Sequence, residues 1–248
     1  MVQELTWITC VRQLNLQLYK SISIRSFLIG SISHNISKVK NVLESEDVFA
    51  AIKCLKKLGV KIKKIKSQQY EIYGKGLGSL YCKKGTILDF QNSGTLCRLL
   101  TGILATTPNI DVNLTGDSSL KKRNMSKLIN LMSEFGAEFF PKNKFFLPLR
   151  MVSSEIPIGI KYKAGVSAQL KSAVALAATN SFGVTNIIEE KMSRDHTENM
   201  LLNSTNIIKI KKGKKKLIKI YGKRYLNFLN IKVSCDPSAA AFYVALTL

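Results

Sequence analysis

The chain has 248 residues, with 38 Lys and Arg against 16 Asp and Glu, a formal charge of +22 at pH 7. That length buries a substantial core and sits near the size at which one core gives way to two. The lysines fall in isoleucine-interrupted runs at Lys61 to Lys66 and Lys209 to Lys219, without zinc-finger spacing or an RNA-binding aromatic stretch, which argues against nucleic acid and favours a solvated basic surface, with attraction of anionic metabolites as the second reading.

In chain order, Ser21 to Ser31 reads as an apolar helix opened by a Ser-rich turn. A strand at Val39 to Leu43 and a second helix at Glu46 to Leu58 follow. Gly59 supplies a left-handed cap after the last periodic leucine, and the alternation that follows it begins a strand. A further strand falls at Tyr70 to Tyr73. The pattern then recurs: an apolar helix at Gly94 to Thr106, a strand at Ile110 to Leu114, a helix at Leu120 to Phe135 closed by Gly136, and a strand at Leu147 to Leu149. It recurs again as Ser167 to Asn180, Val184 to Ile188, Asp195 to Leu202 and Leu217 to Tyr221, with Asn203-Ser204-Thr205-Asn206 in place of the capping glycine. The apolar helices start 73 residues apart, from 21 to 94 and from 94 to 167. A period that long predicts three α/β units closed around buried helices, not an open stack.

Helices without a polar face bury on most sides, so their N-termini converge. Unpaired N–H groups and partial positive charge there suit phosphate or carboxylate. Basic residues recur beside the starts: Lys20 and Arg25, Arg98 and Arg123, Lys171 and Arg194. Each has a plain reading as a solvated surface group, and recurrence at matched positions favours a ligand-facing set. Asn92-Ser93-Gly94-Thr95 also reads as an ordinary N-cap, as does Ser193, with Glu198 in a helix's first turns. His196, one of two histidines with His34, is expected to hydrogen-bond structurally; neither lies in a metal-ligand cluster.

The five cysteines, Cys10, Cys54, Cys82, Cys97 and Cys235, form no C-x-x-C pair and suit a reducing compartment. Residues 1–17 lack a secretory signal's pattern, and no apolar run reaches membrane-spanning length, so a cytoplasmic location with no membrane partner is expected.

Six ordered motifs carry a resemblance. They are Lys20-Ser21-Ile22-Ser23-Ile24-Arg25, Asn92 to Arg98, Gly116 to Arg123, Ser167-Ala168-Gln169-Leu170-Lys171-Ser172, Ser193-Arg194-Asp195-His196-Thr197-Glu198 and Asp236-Pro237-Ser238-Ala239-Ala240-Ala241-Phe242. At these residues the chain resembles the 5-enolpyruvylshikimate-3-phosphate synthases, or 3-phosphoshikimate 1-carboxyvinyltransferases. The related UDP-N-acetylglucosamine enolpyruvyl transferases and a basic RNA-binding module are the alternatives. The resemblance implies an inside-out α/β domain of three repeated units at 19–233, with only fragments of a second similar domain: an N-terminal strand at 1–18 and the start of the returning chain at 234–248. It implies addition and then elimination between shikimate 3-phosphate and phosphoenolpyruvate, releasing phosphate, with no cofactor and no metal.

By the same resemblance, Lys20, Ser21, Arg25, Ser167, Ala168, Gln169 and Arg194 bind shikimate 3-phosphate, Arg25 taking the carboxylate and the Ser167 segment the phosphate. Lys20, Asn92, Gly94, Thr95, Arg123 and Gln169 bind phosphoenolpyruvate. A side chain at residue 94 is expected to crowd that ligand. The family's acid and base residues have no counterpart here, so the 248 residues alone are expected to be inactive, with a separate chain supplying the absent domain as a candidate partner. Leu18, Ile24 and Cys235 depart from the family pattern, which has Gly, His and Gly there.

Overall fold

The computed structural model describes residues 18–204, 206–213, 215–236 and 245. The first unit comprises α1 (Lys20–Ile32), β1 (Ile36–Lys40), α2 (Glu46–Lys57), β2 (Lys61–Lys66) and β3 (Gln69–Tyr73). The second comprises β4 (Thr86–Asp89), α3 (Gly94–Ala105), β5 (Asp111–Thr115), α4 (Ser118–Lys121), α5 (Ser126–Glu134), β6 (Glu138–Phe140) and β7 (Leu149–Val152). The third comprises β8 (Lys161–Ala164), α6 (Ala168–Ala178), β9 (Val184–Glu189), α7 (His196–Leu201), β10 (Ile208–Lys211), β11 (Lys216–Tyr221) and β12 (Asn230–Lys232).

These strands form three four-stranded sheets of one topology, ordered β12-β1-β3-β2, β4-β5-β7-β6 and β8-β9-β11-β10. In each, the first pair is parallel and the other two antiparallel. In the second and third units the strand preceding the apolar helix therefore pairs with the strand following it, a βαβ crossover, and in the first another strand takes that place. In the first unit that strand is β12, from the far end of the described chain, so the sequence repeat and the spatial repeat are offset by one strand. The sequence expectations had no strand at β4, β8 or β12. Edge strands β2 and β10 carry the lysine runs: β2 is exposed at Lys61, Lys63, Lys64, Ile65 and Lys66. Lysine on an edge discourages pairing with another chain.

The apolar helices α1, α3 and α6 form the centre. Leu170 to Ala178 of α6 are all buried, and each large apolar side chain so buried contributes roughly 1.5–3 kcal/mol. Helix α1 buries three serines as well, and each is satisfied within its own helix or at its start. Ser23 Oγ donates to the Tyr19 carbonyl at 3.1 Å, Ser26 to Ile22 at 2.9 Å and Ser31 to Leu28 at 2.7 Å. Helices α3 and α6 approach so closely that a Cβ on Gly102 would lie 2.5 Å from the Ala173 carbonyl oxygen.

Gly59 and Gly136 take φ of 80° and 95° after α2 and α5, the left-handed caps that the sequence predicts. Three boundaries differ from the sequence expectation. The strand placed at Val39 to Leu43 lies at Ile36–Lys40, because Asn41 turns left-handed at φ 56° and ends it. The strand placed at Leu147 to Leu149 begins at Leu149, since Pro148 has no N–H to give a ladder. The helix placed at Leu120 to Phe135 is broken between Lys121 and Ser126, where Asn124 Oδ1 accepts from the Ser126 N–H at 2.7 Å. An Asn side chain that satisfies the backbone locally competes with the helix.

The expected N-terminal strand at 1–18 falls outside the described residues except for Leu18, which bridges Cys235. Pro237 to Phe242 of the last motif also fall outside them. Among the described residues no helix is long and apolar enough to cross a membrane, no group of His, Cys, Asp or Glu is arranged to hold a metal ion, and Cys54, Cys82, Cys97 and Cys235 are free thiols.

Candidate functional site

Side chains join the first turns of α3 and α6, and Arg25 of α1 reaches Ser172 of α6 one turn further on. Ser93 caps α3, its Oγ accepting from Leu96 N at 3.3 Å, and Ser167 caps α6, accepting from Leu170 N at 3.4 Å. Gln169, in the first turn of α6, donates from Nε2 to Thr95 Oγ1 at 3.0 Å and accepts from Arg98 Nη1 at 2.9 Å. The same Arg98 nitrogen donates to the Gly94 carbonyl at 3.1 Å. The break between α4 and α5 places Arg123 over this turn, where its Nη2 donates to Asn92 Oδ1 at 2.6 Å. A Cβ on Gly94 would lie 2.8 Å from a guanidinium nitrogen of both Arg98 and Arg123. Arg98, Asn124, Ser167 and Gln169 line a cavity of about 430 Å³.

Arg25 lies on the other side of the α6 N-terminus and is 2% exposed. Its Nε donates to Thr197 Oγ1 at 2.8 Å, Nη2 to Ser172 Oγ at 3.1 Å and Nη1 to the Ser21 carbonyl at 3.0 Å as well as to Ser21 Oγ. Burial lowers its pKa to about 10; nearby Glu198 opposes that shift and Arg194 adds to it. Arg25 stays a cation at any physiological pH, held by hydroxyls and one carbonyl. Arg194 is exposed at the rim. Among the described residues, Arg25, Arg98 and Arg123 hydrogen-bond only to neutral oxygens. Guanidiniums that form no ion pair, placed beside the starts of α3 and α6 and on α1 next to them, form a field suited to anions.

Three sequence expectations change here. Lys171 is no part of that field: it is fully buried, with its ammonium 2.8 Å from Glu189 Oε1 and 2.6 Å from Glu198 Oε1. Ser193 does not cap α7; Asp195 stands at that position, and Ser193 Oγ donates to Glu189 Oε1 at 2.7 Å. His196 does not hydrogen-bond through Nε2, which is buried without a partner among the described residues; its ring packs edge-on against Tyr19 at 4.9 Å. Lys20, 54% exposed, pairs with Asp47 at 3.2 Å.

The sequence profile of EPSP synthase (3-phosphoshikimate 1-carboxyvinyltransferase) matches residues 12–248. The chain belongs to this family. It is 37% identical over 232 residues to the 3-phosphoshikimate 1-carboxyvinyltransferase of Paramagnetospirillum magneticum, covering 92% of this chain and 52% of that one. Against the enzyme of Ruthia magnifica the identity is 41% over 226 residues, covering 91% and 50%. The solved EPSP synthase of Acinetobacter baumannii superposes with a TM-score of 0.83 at 34% identity, over 92% of this chain and 51% of that one. The chain thus spans about half the length of the relatives it matches, and its repeated units have the inside-out α/β fold of the enolpyruvyl transferases.

The sequence reading missed four residues that shape the site: Ser172 and Thr197, which hold Arg25, Glu189, which holds Ser193, and Asp47, which holds Lys20. Ser172 and Thr197 lay inside quoted motifs, yet only the register between α6 and α7 brings both to one guanidinium. Nothing local marks Asp47 or Glu189.

Proposed function

We propose that this chain supplies the substrate-binding half of an enolpyruvyl transfer site, in which shikimate 3-phosphate takes the enolpyruvyl group of phosphoenolpyruvate and phosphate leaves. The observation that carries this reading is the set of guanidiniums without ion-pair partners, Arg98 and Arg123 at the joined N-termini of α3 and α6 and Arg25 of α1 bonded to α6 beside them. Shikimate 3-phosphate is held by Lys20, Ser21, Arg25, Ser167, Ala168, Gln169 and Arg194, with Arg25 on its carboxylate. Phosphoenolpyruvate is held by Lys20, Asn92, Gly94, Thr95, Arg123 and Gln169. Gln169, already bonded to Thr95 and Arg98, joins the two subsites.

Lys20 serves either substrate only by leaving Asp47, and an exposed ion pair of that kind costs about 1 kcal/mol or less to open. Residues 19–233 act as the three-unit substrate domain, and the proton transfers of addition and elimination fall to groups outside it. Fixed N–H and guanidinium donors orient both anions and neutralise the departing phosphate without a metal.

Calorimetric titration of the chain with shikimate 3-phosphate tests this. Removing a charge-assisted hydrogen bond costs about 1.5–3 kcal/mol, so Arg25→Ala and Arg194→Ala each weaken binding by about 10- to 100-fold. Unchanged affinity in both variants refutes the assignment.

A further inference from the structure

Lys171, Glu189 and Glu198 form a buried ionic network that no substrate role absorbs. One ammonium serves two carboxylates, and Lys216, 3.6 Å from Glu189 Oε2, supplies a second cation. Stability does not require such a network, because well-packed apolar side chains of similar volume often hold a core as well or better. Its connections point to another role.

Glu189 Oε1 accepts from both the backbone N–H and the hydroxyl of Ser193, at 2.8 and 2.7 Å. That pins the segment leading into Arg194 to the end of β9. Glu198 ties α7 to α6 through Lys171. The neighbouring residues on the two helices, Thr197 and Ser172, are thereby brought into register. Thr197 donates to Ser172 Oγ at 2.9 Å, and both hydroxyls accept from Arg25. Glu198 is buried and its Oε2 lacks a hydrogen-bond donor among the described residues. Its negative field reaches Arg25, where it offsets the cost of burying the guanidinium beside Arg194.

We propose that Lys171, Glu189 and Glu198 are positioning residues, acting on Arg25 through Thr197 and Ser172 and on Arg194 through Ser193. They set two cations at the spacing that a ligand with separate carboxylate and phosphate groups requires. This rests on the shikimate 3-phosphate reading above.

A double-mutant cycle on shikimate 3-phosphate affinity tests it, using Glu198→Gln and Arg25→Lys separately and together. Lysine keeps the charge, but its single nitrogen cannot span the four oxygens that the guanidinium reaches, so binding weakens and stays measurable. Glu198→Gln weakens binding by about tenfold in the wild-type background, an estimate from one charged hydrogen bond. In the Arg25→Lys background it costs nothing further, because its effect runs through the missing guanidinium. A merely structural role lowers affinity equally in both backgrounds, and that additive result overturns the proposal, as does full affinity in Glu198→Gln. Should wild type and Arg25→Lys bind alike, or wild type not bind, the substrate reading falls and the positioning role with it. If Glu198→Gln does not fold, Thr197→Val, which leaves every charge in place, closes the same cycle with the same expected non-additivity.

Discussion

Replacing Gly102 by alanine sets two known effects against each other. In an exposed helix interior the change stabilises by about 1 kcal/mol, since alanine has the better propensity. Here the added Cβ would lie 2.5 Å from the Ala173 carbonyl oxygen and 3.0 Å from its carbonyl carbon and Cα, against an ordinary contact of 3.4 Å or more. The obstacle is the backbone of α6, itself buried, so relief requires the two helices to separate by about 1 Å, and overpacking of this kind costs about 1–3 kcal/mol. A contact that far inside van der Waals distance, against backbone, puts the cost in the upper part of that range, about 2–3 kcal/mol, and less the propensity gain of about 1 kcal/mol the net expectation is destabilisation by about 1–2 kcal/mol. Urea unfolding followed by circular dichroism measures it through the midpoint at constant slope. Because Arg98 and Thr95 of α3 bond Gln169 of α6, shikimate 3-phosphate affinity also falls. A variant as stable as wild type, or more so, refutes the close α3–α6 packing on which the converged N-termini depend.

Gly94→Ala meets only the tips of Arg98 and Arg123, so stability stays within about 0.5 kcal/mol of wild type. Phosphoenolpyruvate affinity falls as both guanidiniums shift; stability loss with intact affinity contradicts this. Ser93→Ala removes the cap on Leu96 N and lowers unfolding free energy by about 1 kcal/mol, so a silent substitution argues against the cap. His196 is held below its ordinary value of 6.5 by burial, with Arg25 and Arg194 adding to the effect and Asp195 and Asp236 opposing it. The unfolded chain then takes up the proton first, so stability falls as pH drops through 6.5 and levels off once the folded chain is protonated too. His196→Phe removes that component, and the melting temperature of the variant varies less with pH between neutrality and mild acid. An unchanged pH profile refutes a half-buried imidazole held neutral.

The three apolar helices were legible in the sequence because a run such as Ala173 to Ala178 offers no polar face, and so was the Ser93 cap of α3, whereas α1 starts after Tyr19 without a side-chain cap. The glycine caps at 59 and 136 were equally plain, since a left-handed residue after a periodic helix has few alternatives to glycine. The pairing of Arg98 with Arg123 beside Gly94 matched the basic residues that recur at the helix starts. Strand β12 was not visible, because pairing Asn230–Lys232 with Lys38–Lys40 joins segments that no local pattern links. The break before α5 escaped as well, since Asn124 inside an otherwise helical pattern acts through a bond to its own backbone.

Lys171 and Arg25 looked alike in the sequence, each a single cation on an apolar helix. Tertiary structure separated them. Two carboxylates from β9 and α7 close on Lys171 and remove it from any ligand, while Arg25 hydrogen-bonds to hydroxyls and a carbonyl and feels Glu198 without forming an ion pair. The chain's own pattern thus determined the three units, the caps and the basic character of the helix starts. Which cations remain free to meet an anion was decided by packing, because a buried charge takes its partner from whatever distant segment the fold brings within about 3 Å.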